Sequence, residues 1–318
     1  MRSVLDEALE ATVVLSWTRF GYLVRRRLWS WTKPSASMGS QVALVTGGTR
    51  GIGRSVASAL ASLGASVGVV GRRRESAEAA AWEIGRESGS PRVWAEAADM
   101  SSLGQVRALA ERVTDRVGRL DVLVHNAGLL HRTRRTSDEG IEATVATHVL
   151  GPHLLTASLA PVLKVSRPSK VIWMSSGGMY LQRLDVDRLD AAEDRYRPAA
   201  VYARAKRAQV ALADAWATRL GPDGVDVYVM HPGWVDTGAL AEGLPRFRTV
   251  LRPLLRTPEQ GADTAVWLAS GEGPTDGPVG LWLDRMARPT SRFGVFDPPS
   301  EAERLWTWCE ERVGVSRG

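Results

Sequence analysis

The 318-residue sequence predicts an α/β fold, a doubly wound parallel sheet with helices on both faces and an N-terminal amphipathic helical extension. Three observations carry that expectation. Short apolar runs alternate with helical stretches of roughly a dozen residues, the pattern of parallel strands joined by crossover helices. The first run ends in a glycine cluster that opens a helix. Polar or glycine-rich residues follow strand after strand, at the edge where such sheets bind ligands.

The elements follow in chain order. Across residues 4–31, Leu9, Val13, Val14, Trp17, Phe20, Leu23, Val24, Leu28 and Trp31 recur at helical spacing and surround Arg25-Arg26-Arg27. An amphipathic helix with this composition packs its apolar side on its own domain or on a second subunit, or lies on a membrane surface through its Trp and Arg residues. Packing is the favoured reading, because buried helices are the commoner case. Asp6, Glu7 and Glu10 argue against a mitochondrial presequence, and the features of a signal peptide are missing. No uninterrupted apolar run reaches the roughly eighteen residues of a transmembrane helix. Ser35-Ala-Ser-Met-Gly-Ser40 reads as a linker, which suggests an extension over 1–38, a catalytic domain over 39–290 and a C-terminal tail or helix over 291–318.

Within the domain, strands are expected at 41–46, 65–71, 92–97, 120–124, 170–174 and 225–230. Helices are expected at 52–63, 75–87, 103–117, 138–165 and across Ala200 to Trp216. Thr257-Pro258-Glu259 has the form of a helix start, with Thr as cap and Pro in the first turn.

Composition narrows the function classes. The 41 Lys and Arg against 35 Asp and Glu give a formal net charge of +6, yet the basic residues are scattered and form no stripe interleaved with aromatics. Nucleic acid is therefore not an expected partner. The single cysteine, Cys309, excludes an internal disulfide and a cysteine-based zinc site, so a reducing, cytoplasmic setting fits and no metal is expected.

The first glycine cluster, Thr46-Gly47-Gly48-Thr49-Arg50-Gly51-Ile52-Gly53, stands between a strand and a helix. Glycines there allow a tight turn and close approach to a pyrophosphate, and the helix N-terminus offers its amides and dipole to the charge. Dinucleotide binding is the reading, with an ordinary turn as the alternative. The acidic residue that would hold a ribose 2′-hydroxyl belongs at the end of the second strand. The chain instead has Val69-Val-Gly-Arg-Arg-Arg-Glu75. Arg72 or Arg73, with Arg50, could clasp a 2′-phosphate, which favours NADP(H), with NAD(H) as the alternative.

The glycine spacing resembles that of the short-chain dehydrogenases/reductases when taken with Asn126-Ala-Gly128, Ser175-Ser176, Tyr202-x-x-x-Lys206 and Pro232-Gly233 in that order. The resemblance runs from about residue 41 to 285. It narrows to the subgroup containing vertebrate dehydrogenase/reductase member twelve through Ser175-Ser-Gly-Gly-Met179, Lys206-Arg207 with Gln209-Val210, His231-Pro-Gly-Trp234 and Gln260-Gly-Ala-Asp-Thr264. It implies a Rossmann-type domain and a mechanism. Tyr202 would be the acid/base, and Lys206 would lower its pKa and hold the nicotinamide ribose. Ser176 would bind the substrate oxygen, with Ser175 as the fallback. A free tyrosine titrates near ~10, so a neighbouring cation is needed for work at neutral pH. The same resemblance assigns cofactor contacts to Asp99 and Met100, to Asn126, Ala127 and Gly128, and to Pro232, Gly233, Val235 and Thr237. Ordinary cap and turn roles are the alternative for each.

Two departures stand out. Ser176 and Tyr202 are separated by an insertion that contains Leu184-Asp-Val-Asp-Arg-Leu-Asp190 and Tyr196. His148 stands where the family usually has an asparagine that positions a water linking Lys206 to solvent. It could serve a relay, displace the water, or pack in the helix while its carbonyl keeps the water. His125 likewise replaces an asparagine, as a structural variation. Between Thr237 and Thr257, Leu240, Leu244, Phe247, Val250, Leu251, Leu254 and Leu255 alternate with arginines where the family carries a mobile lid. That pattern suggests a lipophilic carbonyl or alcohol substrate, although it would also suit a homo-oligomer contact or a membrane-facing surface. The expected function is an NADP(H)-linked oxidoreductase. The rival is a nucleotide-binding scaffold or sensor with little turnover.

Overall fold

A computed structural model of the chain describes residues 2–190, 192–243, 245–274, 280–292 and 294–314. Three helices come first, α1 (Arg2–Ala11), α2 (Val14–Trp17) and α3 (Arg19–Leu28). The domain then alternates β1 (Val42–Thr46), α4 (Gly51–Ser62), β2 (Ser66–Gly71), α5 (Arg74–Ser88), β3 (Val93–Ala97), α6 (Leu103–Val117) and β4 (Val122–His125). After α7 (Ala143–Val145), a π-helical turn over Ala146–Leu150 leads into α8 (Gly151–Val165), β5 (Ser169–Met174), α9 (Pro198–Leu220) and β6 (Val225–Met230). The remaining elements are α10 (Gly238–Gly243), α11 (Pro245–Leu251), α12 (Pro258–Ala269), β7 (Leu281–Leu283), β8 (Met286–Arg288) and α13 (Pro299–Val313).

The described strands form one sheet in the order β3-β2-β1-β4-β5-β6-β7-β8, parallel except for the antiparallel pair β7–β8. The strand order reverses between β1 and β4, so the C-terminal ends of these two strands flank the crevice in which doubly wound folds bind ligands. The central strands are apolar on both faces because helices cover both. Val45, Val69, Val124 and Ile172 face one helical layer, while Leu44, Val70, Leu123 and Val171 face the other.

The sequence-based boundaries shift in two places. Helix is expected from 138 but begins at Ala143, because Gly140 turns with a φ of 78° and the Glu142 carboxylate caps the first turn by accepting from the Val145 N–H at 2.9 Å. The single helix expected over 4–31 is three. Val13 adopts a φ of 39° and Thr18 is extended, so the apolar spacing does not continue along one face. Leu9, Trp17 and Tyr22 are buried against the domain, whereas Val14, Leu15, Phe20 and Leu23 face outward. Leu244, one of the apolar residues between Thr237 and Thr257, lies outside the described residues.

A buried ion cluster fastens these helices. Arg25, fully inaccessible, pairs with Asp6, Glu10 and Asp284, each at 2.7 Å. Asp284, in the β7–β8 turn, also receives Arg256 at 2.6 and 2.9 Å. Arg288 reaches Asp6 at 2.5 Å and Arg292 reaches Glu10 at 2.9 Å. Burial opposes ionisation of Asp284, but Arg256 and Arg25 outweigh it and hold the carboxyl below its ordinary value. At the other end of the chain, α13 sends Leu305, Trp306, Cys309 and Val313 into the same core as α9.

Candidate active site

β1 delivers the glycine loop to the crevice. Gly47 and Gly51 take φ values of 65° and 57°, the left-handed region that side chains resist. A Cβ on Gly53 would drive into Asn126 Nδ2 and the Gly47 carbonyl. Arg50 precedes α4 without capping it through its side chain, which leaves the first-turn amides of the helix facing the loop. A Cβ on Gly71 at the end of β2 would lie 2.6 Å from Thr49 Cγ2, so the loop and the exposed Arg72 and Arg73 are neighbours. The cradle has the form that a pyrophosphate needs, with Arg72 and Arg73 exposed beside it.

Several of the expected cofactor residues act as supports for this cradle. The Thr46 hydroxyl accepts from the N–H groups of Asn126 and Ala127, both at 3.1 Å, and donates to the Val124 carbonyl. Asn126 Nδ2 donates to the carbonyls of Thr46 and Gly47 at 3.0 and 3.1 Å. These bonds tie the end of β1 to the end of β4 and turn the Thr46 hydroxyl and the Asn126 amide nitrogen inward. Asp99 accepts from the N–H and hydroxyl of Ser101 at 2.9 and 2.7 Å, which closes its turn, and Met100 is buried in the core. Ile52 packs on the apolar layer beside α12.

β6 supplies the opposite wall. The Thr237 methyl lies 3.6 Å from where a Cβ on Gly51 would stand, which brings the turn after β6 over the glycine loop. Val235 is buried against α12. Pro232 and Gly233 are held from behind by Arg256, which donates to the Pro232 carbonyl at 3.3 Å and to the carbonyls of Ser16, Trp17 and Thr18 at 2.9, 3.1 and 3.2 Å. The Trp17 carbonyl also accepts the Trp234 N–H at 2.8 Å, and its ring packs on Gly177 and His231. The N-terminal segment therefore backs both the Ser176 turn and the Pro232-Gly233 turn. Outside them, Trp234 meets Phe247 edge-on at 5.1 Å, and Gly243 abuts Leu130, so α10 and α11 cover the crevice mouth.

α9 brings the chemistry together. Tyr202 and Lys206 share a face, with the Lys206 Nζ 5.6 Å from the Tyr202 ring centroid. Ser176 follows β5, and its hydroxyl lies close enough to the Tyr202 phenol to favour the phenolate. Ser175 points elsewhere, donating to the Lys206 carbonyl at 2.8 Å, and this separates the two serines. Lys206 Nζ donates to the Met174 carbonyl at 2.7 Å and to Gln209 Oε1 at 3.0 Å. Burial raises the Tyr202 phenol, the Ser176 hydroxyl opposes that rise, and burial pushes the Lys206 ammonium down to about 7.

His148 lies in the π-helical turn with its ring edge-on to Tyr202, 5.4 Å between centroids, and against Gly128. Its Nε2 lies 3.1 Å from the Leu129 nitrogen and 2.9 Å from the Leu129 carbonyl oxygen, so the ring anchors the loop after Asn126-Ala127-Gly128. Burial, reinforced by Lys206, holds its pKa well below 6.5, so the ring is neutral at neutral pH. Its main-chain carbonyl accepts Gln209 Nε2 at 2.9 Å. His125, also buried and pushed down to about 3 by burial, contacts Thr156 at 2.7 Å on the far side of the sheet end. Composition and spacing did not single out Trp17, Arg256 or Gln209 as parts of this site. Gln209 entered there only as part of the stretch that carries the subgroup resemblance, with no role attached.

The chain matches the family model described as short chain dehydrogenase over residues 41–245. It belongs to the short-chain dehydrogenase/reductase family. Dehydrogenase/reductase SDR family member 12 of Bos taurus is 37% identical over 271 residues, covering 84% of each protein. Retinol dehydrogenase 13 of Mus musculus is 31% identical over 291 residues, covering 88% of this chain and 86% of that one. Among solved structures, the RhlG/NADP active-site complex of Pseudomonas aeruginosa superposes with a TM-score of 0.61 at 26% identity, covering 75% of this chain and 92% of that one. The likeness to member 12 extends beyond the family model in both sequence coverage and length, and this short-chain dehydrogenase/reductase is accordingly an oxidoreductase with a nucleotide-binding fold.

Proposed function

We propose that this short-chain dehydrogenase/reductase uses NADP(H) to interconvert a carbonyl and an alcohol on a lipophilic small molecule, with Tyr202 as acid/base. The observation that carries the proposal is the placement of the Tyr202 hydroxyl close to Ser176 with Lys206 beside its ring. Bound in the cradle, the nicotinamide supplies or accepts the hydride. Ser176 holds the substrate oxygen, and Tyr202 gives it a proton in reduction or removes one in oxidation. Lys206 favours the phenolate and holds the nicotinamide ribose. Gly47, Thr49, Arg50, Gly51 and Ile52 present main chain to the pyrophosphate, while Ala127 and Gly128 floor the adenine end, with Asp99 at its rim. Pro232, Gly233 and Thr237 border the nicotinamide end. His148 is a packing residue that sets the ring face of Tyr202.

NADP(H) is favoured because Arg72 and Arg73 stand exposed where an acidic residue would read an unphosphorylated ribose. A charge-assisted phosphate contact is worth about 1.5–3 kcal/mol, or roughly 10–100-fold in affinity. Arg72→Glu is expected to weaken NADPH binding by that factor and leave NADH binding within about threefold of wild type. Titrations with both nucleotides check it, and equal losses for both would assign Arg72 to general support.

The lipophilic substrate is supported by Trp234, Phe247 and Leu130 around the crevice mouth, and by the likeness to a protein named for retinol. A membrane surface would deliver such a compound. Asp6 and Glu10 turn inward to Arg25, Arg288 and Arg292, while Val14, Leu15, Phe20 and Leu23 are 43–51% exposed beside the exposed Arg19, Arg26 and Arg27. No described helix is long and apolar enough to cross a membrane, so this contact would be peripheral. The full chain is expected to sediment with anionic vesicles and Phe20→Glu/Leu23→Glu to stay in the supernatant. Equal sedimentation of the two would remove the membrane reading, and a change in oligomeric state in place of sedimentation would assign the face to a second subunit.

A further inference from the structure

Lys206 is 4% exposed and Gln209 is 1% exposed, so the polar groups of both must be satisfied inside the protein. The lysine has the Met174 carbonyl and Gln209 Oε1 as acceptors, at 2.7 and 3.0 Å. Gln209 then uses its other end, donating from Nε2 to the His148 carbonyl at 2.9 Å. That carbonyl belongs to the π-helical turn Ala146–Leu150, where the wider helical ring displaces main-chain groups from their usual partners. One amide therefore bridges two elements that otherwise meet only through packing. It links the helix that carries Tyr202 and Lys206 to the turn whose histidine ring faces Tyr202.

We propose that Gln209 is a positioning residue for the acid/base pair, fixing the Lys206 ammonium by offering it an acceptor that is itself anchored on the His148 carbonyl. The proposal rests on Tyr202 and Lys206 acting as read above. The groups that face the ammonium are Tyr202 on its own helix and His148 on the turn packed against it. Arg207, the next residue in the chain, turns away to Asp297 at 2.7 Å and to the Thr290 carbonyl. His148 is neutral, so neither facing group supplies a negative charge at neutral pH, and the Met174 carbonyl and Gln209 Oε1 are the acceptors that oppose the loss of the ammonium's charge to burial. A side chain of similar length without polar atoms would leave the lysine with the Met174 carbonyl alone. The ammonium would then be lost at a lower pH, the phenol would lose its nearest cation, and phenolate would form at a higher pH. Gln209 also moves no proton along the bridge at either end, because its amide passes on orientation and not charge.

The test compares Gln209→Met, which removes the bridge, with Gln209→Glu, which retains an acceptor for Lys206. The readout is the pH profile of alcohol oxidation with NADP+, whose rising limb reports phenolate formation. In Gln209→Met the limb is expected to move up by about one pH unit, with turnover at neutral pH about tenfold lower and the substrate KM little changed. Gln209→Glu is expected to return the limb toward the wild-type position. A Gln209→Met enzyme that is slower across all pH values with the limb unmoved would overturn the proposal and leave Gln209 a packing residue. Should the wild type oxidise none of a set of retinoid, steroid and aliphatic alcohols with NADP+, the catalytic reading fails on its own. The tyrosinate absorbance of Tyr202, taken as wild type minus Tyr202→Phe, then reports the same shift in Gln209→Met, and an unshifted curve there would again overturn the proposal.

Discussion

Tyr202→Phe is expected to lower turnover about 10²–10⁴-fold, the range that a positioned general acid supplies, while NADPH affinity stays within about tenfold of wild type. Removing the hydroxyl takes away the proton donor beside Ser176 but leaves the ring, which fills the space between His148 and Lys206. The fold should therefore be unaffected, and steady-state rates beside NADPH titrations separate the two consequences. The direction of the pH dependence follows from the site. Burial raises the phenol above its ordinary value of 10.0, so oxidation, which needs phenolate, should gain rate as pH rises through the neutral range. Reduction needs the protonated phenol and should lose rate only at the alkaline end.

Arg25→Met is expected to destabilise the protein by about 3–5 kcal/mol, the cost of removing one partner from a buried ion cluster. The arginine compensates three carboxylates at 2.7 Å each, and its loss leaves Asp284 with Arg256 as its remaining close cation. The consequence reaches the site. Arg256 holds both the Trp17 turn and the Pro232 carbonyl, so a shifted Asp284 loosens the Pro232-Gly233 wall of the crevice. The folded-state pKa of Asp284 is depressed below the ordinary carboxylate value, so its contribution to stability is present above about pH 4 and is lost as pH falls through the depressed value. The gap between wild type and Arg25→Met should therefore begin to narrow near pH 4 and close as pH falls through the depressed values of Asp284 and Asp6, below which the protonated carboxyls no longer need the arginine. Denaturation curves at neutral and acid pH measure the difference. A gap that is unchanged by acid would mean that the arginine acts through packing alone.

The six longer strands were legible because they are buried on both faces and carry apolar runs with little ambiguity. The meeting of Tyr202, Lys206 and Ser176 was legible because Tyr202 and Lys206 are one helical turn apart and Ser176 follows a strand, so local geometry decides it. What stayed hidden depends on tertiary contact. Arg25 reads as one of three solvated arginines, and only the fold shows that it faces three acids while Arg26 and Arg27 face solvent. Val13 and Thr18 break the N-terminal helix at residues with no glycine or proline to announce the break. β7 and β8, three residues each, are too short for periodicity to show, although their turn holds Asp284. His148 was visible as a departure, but its neutral state and its Leu129 contacts follow from burial and could not be read from residue type. The bridge through Gln209 needed the distance between α9 and the π-helical turn.

The proposed reaction interconverts a lipophilic carbonyl and its alcohol with NADP(H) through Tyr202, and reduction is the direction that is simplest to follow. Its most direct test follows NADPH oxidation by the wild type and Tyr202→Phe in parallel, over retinoid, steroid, quinone and aliphatic carbonyls, with nucleotide binding measured on both. The account predicts oxidation of NADPH with at least one of these compounds by the wild type, and its loss in Tyr202→Phe with nucleotide binding retained. Tight NADPH binding by both proteins with no turnover, or turnover that survives Tyr202→Phe, would contradict it and leave a nucleotide-binding scaffold.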